Sequence, residues 1–410
     1  MTVRQDFVNL DARDPLAPLR ELFDLPEGMI YLDGNSLGAL PKATAARMQQ
    51  ALRVEWGQDL IQSWDKAGWM DLPRRIGDKI AWLVCAGPGE VVVADSTSVN
   101  LFKVLSAALR IAQDEVPQRQ VILSERTNFP TDLYIAESLA QEKGFRLELA
   151  EADQIPSKLD GEVAVLLLTQ VNYRTGRLHD MAALTRAAHE AGALAIWDLA
   201  HSAGALPVNL MGDGSLEEAA DFAVGCGYKF LNGGPGAPAF VWAHPRHAGR
   251  FRQPLSGWMG HEAPFGFTPG YTPAPGINRY LCGTPPVLSM AALECGVDTL
   301  LAAEDLGGML ALREKSTALT AAFIHQVEAR CAGFGLNLLT PREAGQRGSQ
   351  VSFSVPGLGE RVIKALAARG VIGDFRPPDI LRFGFTPLYT RYVDVWDAAE
   401  RLRSALLEVT

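Results

Sequence analysis

The sequence predicts an α/β protein: a large domain with a mostly parallel seven-stranded sheet flanked by helices, and a smaller α+β domain at the C-terminus. Three observations predict this class. Short apolar runs alternate with helical patterns from about residue 60 to 245, a rhythm typical of βαβ units. These runs are apolar throughout rather than at alternate positions, as expected for strands covered on both faces. From Pro286 onward, helices precede strands, which indicates a second domain.

Seven apolar runs predict the strands of the large sheet. They are Val91–Ala94, Val121–Ser124, Phe145–Leu149, Val163–Leu168, Ala193–Asp198, Asp221–Gly225 and Pro238–Trp242. Helical patterns lie between them at Val99–Ala112, Thr131–Lys143 and Asp180–Ala191. Because parallel neighbours need a long crossover connection, this spacing predicts a mostly parallel sheet.

The remaining elements predict the domain division. The C-terminal part shows helices at Val287–Ala303 and Leu310–Arg330, strands at Gln350–Val355 and Ile380–Phe385, and a last helix after Thr390. A helix at Pro41–Trp56 precedes the large sheet, so we expect it to pack with the smaller domain. We therefore predict an N-terminal segment packing with the small domain (1–60), a large domain (61–286) and a small domain (287–410).

One long segment does not fit this alternation. Residues 246–286 are rich in glycine, proline and aromatic residues. Connections of this length are usually functional or cover an interface. We expect one of these two roles for the segment.

Length and composition exclude several classes of protein. The chain has 410 residues, which suggests two domains and allows three. The 48% of hydrophobic and 21% of charged residues exclude a mainly disordered, collagenous or coiled-coil architecture. The net charge of −9 argues against non-specific binding to nucleic acid or to an anionic membrane.

Cysteine usage and the N-terminus indicate a soluble cytoplasmic protein. The five cysteines form no Cys-x-x-Cys pair and no zinc-ligand spacing, so we expect reduced thiols and no metal site. The N-terminus carries acidic residues and no apolar stretch, so we expect no signal peptide. The longest purely apolar run, Val163–Leu168, is far shorter than the roughly 20 residues of a membrane span.

Two motifs carry the candidate chemistry. In AIWDLAHSAGALPVNL (195–210) a strand ends in Asp198, and His201 follows. In GCGYKFLNGGPGAPAF (225–240) Lys229 lies between a strand end and a loop of glycines and prolines. The carboxyl ends of strands line the ligand crevice of open α/β sheets, where a buried carboxylate needs a cationic partner. Each residue also has a structural explanation: Asp198 as a helix N-cap and Lys229 as a solvated side chain.

Together the two motifs match what pyridoxal phosphate requires. A carboxylate can pair with the protonated ring nitrogen, and a partly desolvated lysine can form a Schiff base with the aldehyde. The phosphate needs a helix N-terminus with spare N–H groups and hydroxyls. Ser96 and Thr97 follow a strand and begin an amphipathic helix, although a plain helix cap explains them equally. Asp95 would repel a phosphate, so we expect its side chain to point away.

The cofactor ring also needs an aromatic face. The segment LSERTNFPTDLY (123–134) follows the next strand and offers Phe129, with Asp132 three residues later. A single phenylalanine is usually part of a core, but this one lies at the carboxyl end of a strand. Phe129 is therefore a candidate for stacking on the ring.

The chain resembles the kynureninases, which are pyridoxal-phosphate enzymes of the aspartate-aminotransferase-like fold type I. The resemblance runs nearly end to end. Its markers are YLDGNSLGALP (31–41), NFPTD (128–132), WDLAHSAGA (197–205), GYKFLNGGPGAPAF (227–240), GTPPVLSM (283–290) and GDFRPPDILRFGFTPLY (373–389). Any one of these would be weak, but six in the same order are specific.

The resemblance implies a set of cofactor contacts. They are Ser96 and Thr97 on the phosphate, Phe129 stacked on the ring, Asp132 and Thr169 as further polar contacts, Asp198 on the ring nitrogen, His201 near the phosphate or the ring hydroxyl, Tyr228 on the phosphate, and Lys229 as the covalent link. It also implies that Trp258 and Thr284 reach the phosphate from a neighbouring subunit. The active form would then be a homodimer with a shared site, and the Gly- and Pro-rich segment would be its interface.

The resemblance also implies the substrate contacts and the reaction. Arg382 would hold the substrate α-carboxylate, with Arg376 in support, although a surface ion pair would be the default for either alone. Ser36, Trp64 and Thr284 would face the aromatic ring. The enzyme would cleave the Cβ–Cγ bond of L-kynurenine, and 3-hydroxykynurenine less well, giving anthranilate and L-alanine in tryptophan catabolism. Lys229, Tyr228 and Asp198 would be the catalytic residues.

Two other functions compete with this interpretation. A cysteine desulfurase or selenocysteine lyase needs a cysteine just before the carboxylate-binding arginine, and GVIGDFRPPDILR (370–382) has none. Cys331 lies 51 residues before Arg382, which is too early. A regulatory module would need an added DNA-binding domain and basic charge, and the N-terminus offers neither.

Overall fold

The computed structural model describes residues 3–250 and 253–410, arranged around two main sheets. Residues 1–2 of the predicted N-terminal segment and 251–252 of the Gly- and Pro-rich segment lie outside the described residues. The strands are β1 (Phe23–Asp24), β2 (Ile30–Tyr31), β3 (Leu40–Pro41), β4 (Val91–Ala94), β5 (Val121–Glu125), β6 (Arg146–Ala150), β7 (Val163–Thr169), β8 (Leu194–Asp198), β9 (Phe222–Gly225), β10 (Ala239–Ala243), β11 (Asn337–Leu338), β12 (Gln350–Ser354), β13 (Val371–Ile372), β14 (Asp374–Arg376) and β15 (Ile380–Gly384). The α-helices are α1 (Arg4–Asp11), α2 (Lys42–Gln50), α3 (Ser63–Lys66), α4 (Leu72–Leu83), α5 (Thr97–Glu115), α6 (Pro130–Lys143), α7 (Ile155–Lys158), α8 (Met181–Glu190), α9 (Val287–Leu301), α10 (Gly308–Arg330), α11 (Gly359–Ala367) and α12 (Tyr392–Val409).

The large sheet confirms the predicted fold class. Its seven strands lie in the order β4-β10-β9-β8-β7-β5-β6, each within one residue of its predicted bounds. Strand β10 runs antiparallel to β4 and β9, and the other neighbours pair in parallel. All residues of β4, β7 and β9 are buried, which explains why these runs are apolar on both faces.

The helices that cover this sheet begin and end at residues with a clear local cause. Helix α5 begins after Ser96, whose Oγ accepts the N–H of Val99 at 3.3 Å. Helix α6 has Pro130 at its first position, where a missing N–H costs nothing, and it ends at Gly144 with φ +76°. The predicted spans for both helices lie inside the observed ones.

Helix α9 packs with the large sheet. Its residues Met290, Leu293 and Val297 belong to the same buried cluster as Ile76 of α4 and Trp197 of β8. Helix α2, which a π-helical segment (Ala51–Trp56) extends, packs on α9 in turn. The prediction assigned α9 to the small domain and expected the helix over 41–56 to pack with that domain. In the structure, α9 packs with the large sheet, and α2 packs on α9.

The C-terminal sheet carries the second core. Strands β11, β12, β15 and β14 form an antiparallel sheet in that order. Helix α10 lays Phe323 on it, with ring centroids 5.0 Å from Phe383 and 5.2 Å from Phe385. Helix α1 packs on α12, and the Asp11 carboxylate accepts the N–H groups of Tyr392 at 2.6 Å and Val393 at 2.9 Å.

Two loops join the sheets and enclose the crevice at the carboxyl ends of the strands. The loop after β7 is hydrogen-bonded to the small domain, with the Gly348 N–H donating to Gly176 at 2.8 Å. The loop after β2 spans both parts: its Gly38 N–H donates to Tyr228 at 2.8 Å, while the Gly384 N–H donates to Leu32 at 2.7 Å. In residues 3–250 and 253–410, no helix has the length and apolar character that crossing a membrane requires.

Candidate functional site

The parallel strands bring the predicted residues to one edge of the sheet. Asp198 is the last residue of β8 and Thr169 the last of β7, and the two are direct neighbours in the strand register. Ser96 and Thr97 follow β4, which runs in the same direction. This edge is where open α/β sheets bind ligands.

A pair of buried carboxyl groups forms the floor of the site. The Thr169 hydroxyl lies 3.3 Å from Oδ2 of Asp198 and 3.4 Å from Oδ2 of Asp132, and it also contacts Asn128. Burial raises the pKa of Asp198. Burial and the charge of Asp198 raise the pKa of Asp132 well above its usual range. Two such groups side by side favour a cationic ligand.

Lys229 and His201 form the reactive pair above this floor. The Lys229 Nζ lies 2.9 Å from Nε2 of His201. Burial, followed by the charge of Lys229, lowers the pKa of His201 well below its usual range, so the imidazole is neutral and accepts from the amine. Its Nδ1 is buried and has no hydrogen-bond partner among the described residues.

Two aromatic rings flank the amine. The Lys229 Nζ is 5.9 Å from the ring centroid of Phe129 and 5.7 Å from that of Tyr228. Phe129 remains 40% exposed, so part of its ring is available to a ligand. Burial raises the pKa of the Tyr228 hydroxyl, which therefore keeps its proton at neutral pH.

The first turn of α5 offers hydrogen-bond donors and an unpaired hydroxyl. The Thr97 Oγ1 is buried and has no partner among the described residues. The buried ammonium of Lys103 donates to the Asp95 carboxylate at 2.5 Å and to the backbone carbonyl of Tyr280 at 2.6 Å. Asp95 is thereby held by α5 itself, in agreement with the expectation that it turns away from an anion.

These features fit pyridoxal phosphate. The buried carboxyl pair suits a protonated ring nitrogen, and the Lys229 amine can form a Schiff base. The unpaired Thr97 hydroxyl can donate to a further oxygen atom or accept from a further donor. The unpaired Nδ1 of His201 can donate to an oxygen atom, because Nε2 is the acceptor of the neutral ring. The start of a 19-residue helix suits a phosphate.

A second polar group lies at the edge of the small domain, beside the loop after β2. Arg382 is only 1% exposed, and its Nε donates to Oδ1 of Asp374 at 2.9 Å. Its Nη2 contacts the other oxygen of Asp374 and donates to the Ser36 hydroxyl at 2.8 Å. Arg376 lies 2.9 Å from the same carboxylate. The structure thus brings Arg376 and Arg382 together, as the resemblance implied, and adds Ser36, which the resemblance placed at the aromatic ring with Trp64 and Thr284.

Asp33 adds a second acid to this group. Its Oδ1 is buried without a hydrogen-bond partner among the described residues. Burial, followed by the charge of Asp374, raises the pKa of Asp33 to about 7. By contrast, the hydrogen bond and charge of Arg382 hold the pKa of Asp374 below its usual value, although burial opposes this.

Tyr173 connects the two polar groups, and the sequence did not reveal it. Its ring packs edge-on against Phe129 with centroids 5.3 Å apart, while its carbonyl accepts from Nη1 of Arg382 at 2.9 Å. Asn128 and Asp374 were also missed, although both lie inside quoted motifs. Their position next to predicted residues in those motifs was the available signal.

Trp64 and Trp258 form a separate aromatic group. Their ring centroids are 5.8 Å apart, and Phe265 lies 5.7 Å from Trp258. Thr284 is exposed. Within the part of the chain that the structure describes, none of these residues has a hydrogen bond or ring contact with Lys229.

Comparison with known proteins gives consistent results along the chain. A family model described as the kynureninase C-terminal domain matches residues 312–402. The chain is 57% identical to the kynureninase of Burkholderia pseudomallei (strain 1106a) over 409 residues, which covers 99% of this chain and 96% of that protein. It is 56% identical to the kynureninase of Pseudomonas fluorescens over the same shares of both chains.

Solved structures with the same fold are more distant in sequence. The apo cysteine desulfurase of Thermococcus onnurineus NA1 superposes with a TM-score of 0.78 at 20% identity, covering 95% of this chain and 98% of that one. A variant of C-DES with glycine linked to its PLP cofactor gives a TM-score of 0.79 at 16% identity, covering 95% and 99%. At these identities the likeness concerns the fold alone.

Proposed function

This chain belongs to the kynureninase family and hydrolyses L-kynurenine to anthranilate and L-alanine with pyridoxal phosphate as cofactor, and we propose how its residues divide that work. The observation that carries the assignment is the Lys229 amine, held 2.9 Å from His201 between the rings of Phe129 and Tyr228. Below it lie the buried carboxyl groups of Asp198 and Asp132.

The cofactor residues act by charge, stacking and hydrogen bonding. When bound, pyridoxal phosphate supplies an electron sink for the carbanion formed next to the substrate amine. Asp198 binds the ring nitrogen and keeps it protonated, supported by Thr169 and Asp132. Phe129 stacks on the ring, and His201 donates to an oxygen substituent. The cofactor phosphate takes the hydroxyls of Ser96, Thr97 and Tyr228 and the N-terminus of α5.

Lys229 and Tyr228 move the protons. Lys229 would hold the cofactor, and its amine, when free, would remove the α-proton of the substrate. Neutral His201 accepts a hydrogen bond from this amine and keeps it directed into the site. Tyr228 keeps its proton because its pKa is raised. It acts as the acid/base partner of the proton transfers that accompany water attack on the γ-carbonyl and cleavage of the Cβ–Cγ bond.

The substrate residues act on the two ends of the molecule. Arg382 binds the α-carboxylate, supported by Arg376, and Ser36 offers its hydroxyl beside it. Trp64 packs against the aryl ring. The resemblance implies that Trp64 and Thr284 stand where eukaryotic relatives that prefer 3-hydroxykynurenine carry a histidine and an asparagine. We therefore propose L-kynurenine as the preferred substrate, with the ratio of rates on the two compounds as the test.

A homodimer would complete the site. Trp258 and Thr284 lie apart from Lys229 in one chain, which supports a contribution from each subunit to the cofactor phosphate of the other. The exposed apolar residues of the Gly- and Pro-rich segment, such as Phe265 and Phe267, support an interface there. The five cysteines are free, which supports the cytoplasm as the location. We propose the division into residues 1–60, 61–286 and 287–410, with α9 packing on the large sheet.

Replacing Lys229 tests the assignment directly. Lys229→Ala should abolish the release of anthranilate and alanine and remove the visible absorbance of the protein-bound Schiff base. The exposed Lys66→Ala is the matched control and should keep both. A variant at Lys229 that still turns over L-kynurenine at a normal rate would refute the role given to this residue. Activity of the wild-type protein on cysteine or selenocysteine instead would favour the desulfurase reaction.

A further inference from the structure

The guanidinium of Arg382 is almost fully used by the protein itself. An arginine has five N–H donors in a fixed planar fork. In Arg382, Nε and Nη2 both face the Asp374 carboxylate, Nη2 also donates to Ser36, and Nη1 donates to the Tyr173 carbonyl. Asp374 therefore occupies one complete edge of the fork. Of the two N–H groups that point to the edge between Nη1 and Nη2, the one on Nη2 is taken by the Ser36 hydroxyl, so one N–H of Nη1 remains for a ligand carboxylate.

Strand register sets the pairing of Asp374 with Arg382. Strand β14 runs antiparallel to β15, and Asp374 stands directly opposite Arg382. Arg376, two residues along β14, lies on the same face and contacts the same carboxylate oxygen at 2.9 Å. The Ser36 hydroxyl donates to that oxygen at 2.6 Å. The contact is thus built into the hairpin and does not depend on a flexible side chain finding its partner.

The charges around Arg382 leave room for one more anion. Arg376 and Arg382 carry two positive charges, and Asp374 carries one negative charge. The Arg382 and Asp374 side chains are only 1% and 13% exposed, so solvent screens their interaction little. Burying the Arg382 charge without a carboxylate partner would cost free energy, and the guanidinium would then turn to other acceptors. With its acid in place, the group carries one net positive charge, apart from Asp33.

We propose that Asp374 is a positioning residue for substrate binding: it holds the Arg382 fork so that the remaining N–H of Nη1, beside the Ser36 hydroxyl, meets the substrate α-carboxylate. This inference rests on the proposed role of Arg382 as the carboxylate-binding residue. Asp374 acts only through Arg382. Its effect is to select amino acids with a free carboxylate, because that group matches both the remaining donor and the remaining positive charge.

The test compares Asp374→Asn with Asp379→Asn in the cofactor-loaded enzyme. Asp379 lies on the same hairpin, where its backbone carbonyl accepts from Val355. We titrate each variant with the product L-alanine and with L-alaninamide, which lacks the carboxylate charge, and follow the visible spectrum. Asp374→Asn should weaken L-alanine binding and raise KM for L-kynurenine by about tenfold or more, with alaninamide binding and kcat within about twofold. Asp379→Asn should match the wild type.

Arg382→Lys separates failure of this inference from failure of the proposed function. If Arg382→Lys fails to weaken L-alanine relative to alaninamide, Arg382 is not the carboxylate site and the proposed role itself falls. If Arg382→Lys discriminates and Asp374→Asn does not, only the positioning role is refuted. Thermal unfolding identifies a variant that does not fold. In that case Asp374→Glu, which keeps the charge and is one methylene longer, must show the same selective loss for L-alanine; equal loss for both ligands overturns the inference.

Discussion

Asp33 and Asp374 lie in one cluster, but their pKa values are shifted in opposite directions. Asp374 receives Arg382, Arg376 and the Ser36 hydroxyl, and its pKa falls. Asp33 has an unpaired Oδ1 and lies close to a carboxylate, and its pKa rises to about 7. The difference follows from which acid the strand register places opposite an arginine. Asp33 is therefore protonated in the folded protein over part of the range where an unfolded chain would ionise it.

Asp33 should make the stability of the protein depend on pH. Its folded-state pKa of about 7 lies above the usual value of 3.8, so between these values the folded state binds the extra proton. The free energy of unfolding should fall as pH rises from about 4 to about 7. Asp33→Asn should remove this part of the fall, as measured by denaturant unfolding at several pH values.

Asp379→Asn is the control for this pH experiment as well. It removes an acid from the same part of the small domain, and its stability profile should parallel that of the wild type. If Asp33→Asn shows the same decline with pH as the wild type, the Asp33 carboxyl does not hold its proton in the folded state.

At the scale of elements, the loop after β2 depends on a glycine. A Cβ at Gly38 would lie 2.5 Å from the carbonyl oxygen of Lys229 and 2.5 Å from the side-chain oxygen of Asn232. The loop must pass this close because the same stretch carries Ser36 to Arg382. The motif YLDGNSLGALP therefore links the backbone of Lys229 to the substrate-side group, which consists of Ser36, Asp374, Arg376 and Arg382.

Gly38→Ala should destabilise the protein by about 1–3 kcal/mol and lower activity, because the added methyl group pushes on the Lys229 backbone. Gly161→Ala is the matched control, since a Cβ there meets nothing within 4 Å and the residue lies outside the proposed interface. Thermal unfolding and the rate of anthranilate release check both variants. Equal melting temperatures for the two variants would contradict the close approach at Gly38.

The π-helical segment after α2 shows a feature of an element that periodicity did not predict. The helix over 41–56 was predicted as a single span, yet its last residues widen to a π-helix. This places Glu55 inside, where its carboxylate pairs with Arg47 at 2.7 Å and accepts from the Trp69 indole at 3.0 Å. Trp69 packs edge-on against Trp64, with centroids 6.0 Å apart. The segment thereby supports the proposed aryl contact.

For the whole molecule, the exposed apolar side chains are concentrated in two stretches of the chain. Leu60 and Ile61 are 60% and 76% exposed, and Phe265 and Phe267 are 57% and 77% exposed. The contact of Trp64 with Trp258 brings these stretches together. Exposed apolar side chains grouped in this way are typical of an interface, and a second copy of the chain is the partner that we propose.

Mixing two inactive variants tests the shared site. Lys229→Ala retains Trp258 and Thr284, whereas Trp258→Ala combined with Thr284→Ala retains Lys229. After the two proteins are unfolded and refolded together in equal amounts, half of the dimers should be hybrids with one complete site. Activity should recover to about a quarter of the wild-type value.

The separately refolded variants serve as the controls for the mixing experiment and should stay inactive. Activity of the Trp258 and Thr284 variant by itself would show that these side chains are dispensable. Absence of recovery, with hybrids demonstrated by mass, would place all of the active-site residues in one chain.

Much of the fold was determined by local sequence. Apolar runs that are buried on both faces identified six of the seven strands of the large sheet, because a covered strand tolerates few polar residues. The exception is the edge strand β6, which begins at the exposed Arg146. The motif residues Asp198, Lys229 and Phe129 were found for a related reason: each lies at, or a few residues after, the end of a strand that the apolar pattern had already defined. Helices α1, α3, α4, α7 and α11 were not predicted, because a short helical pattern is not distinctive in a single sequence.

The sequence alone thus determined the sheet and its ligand-binding edge, and it indicated the residues that we propose to hold the cofactor. Only the tertiary structure decided how the substrate-side group is assembled. Arg382 meets Tyr173 across 209 residues and Ser36 across 346 residues, and no local pattern encodes such contacts. They exist because the two cores fix the loops after β2 and β7 against the small domain, which places the acceptors around one buried guanidinium.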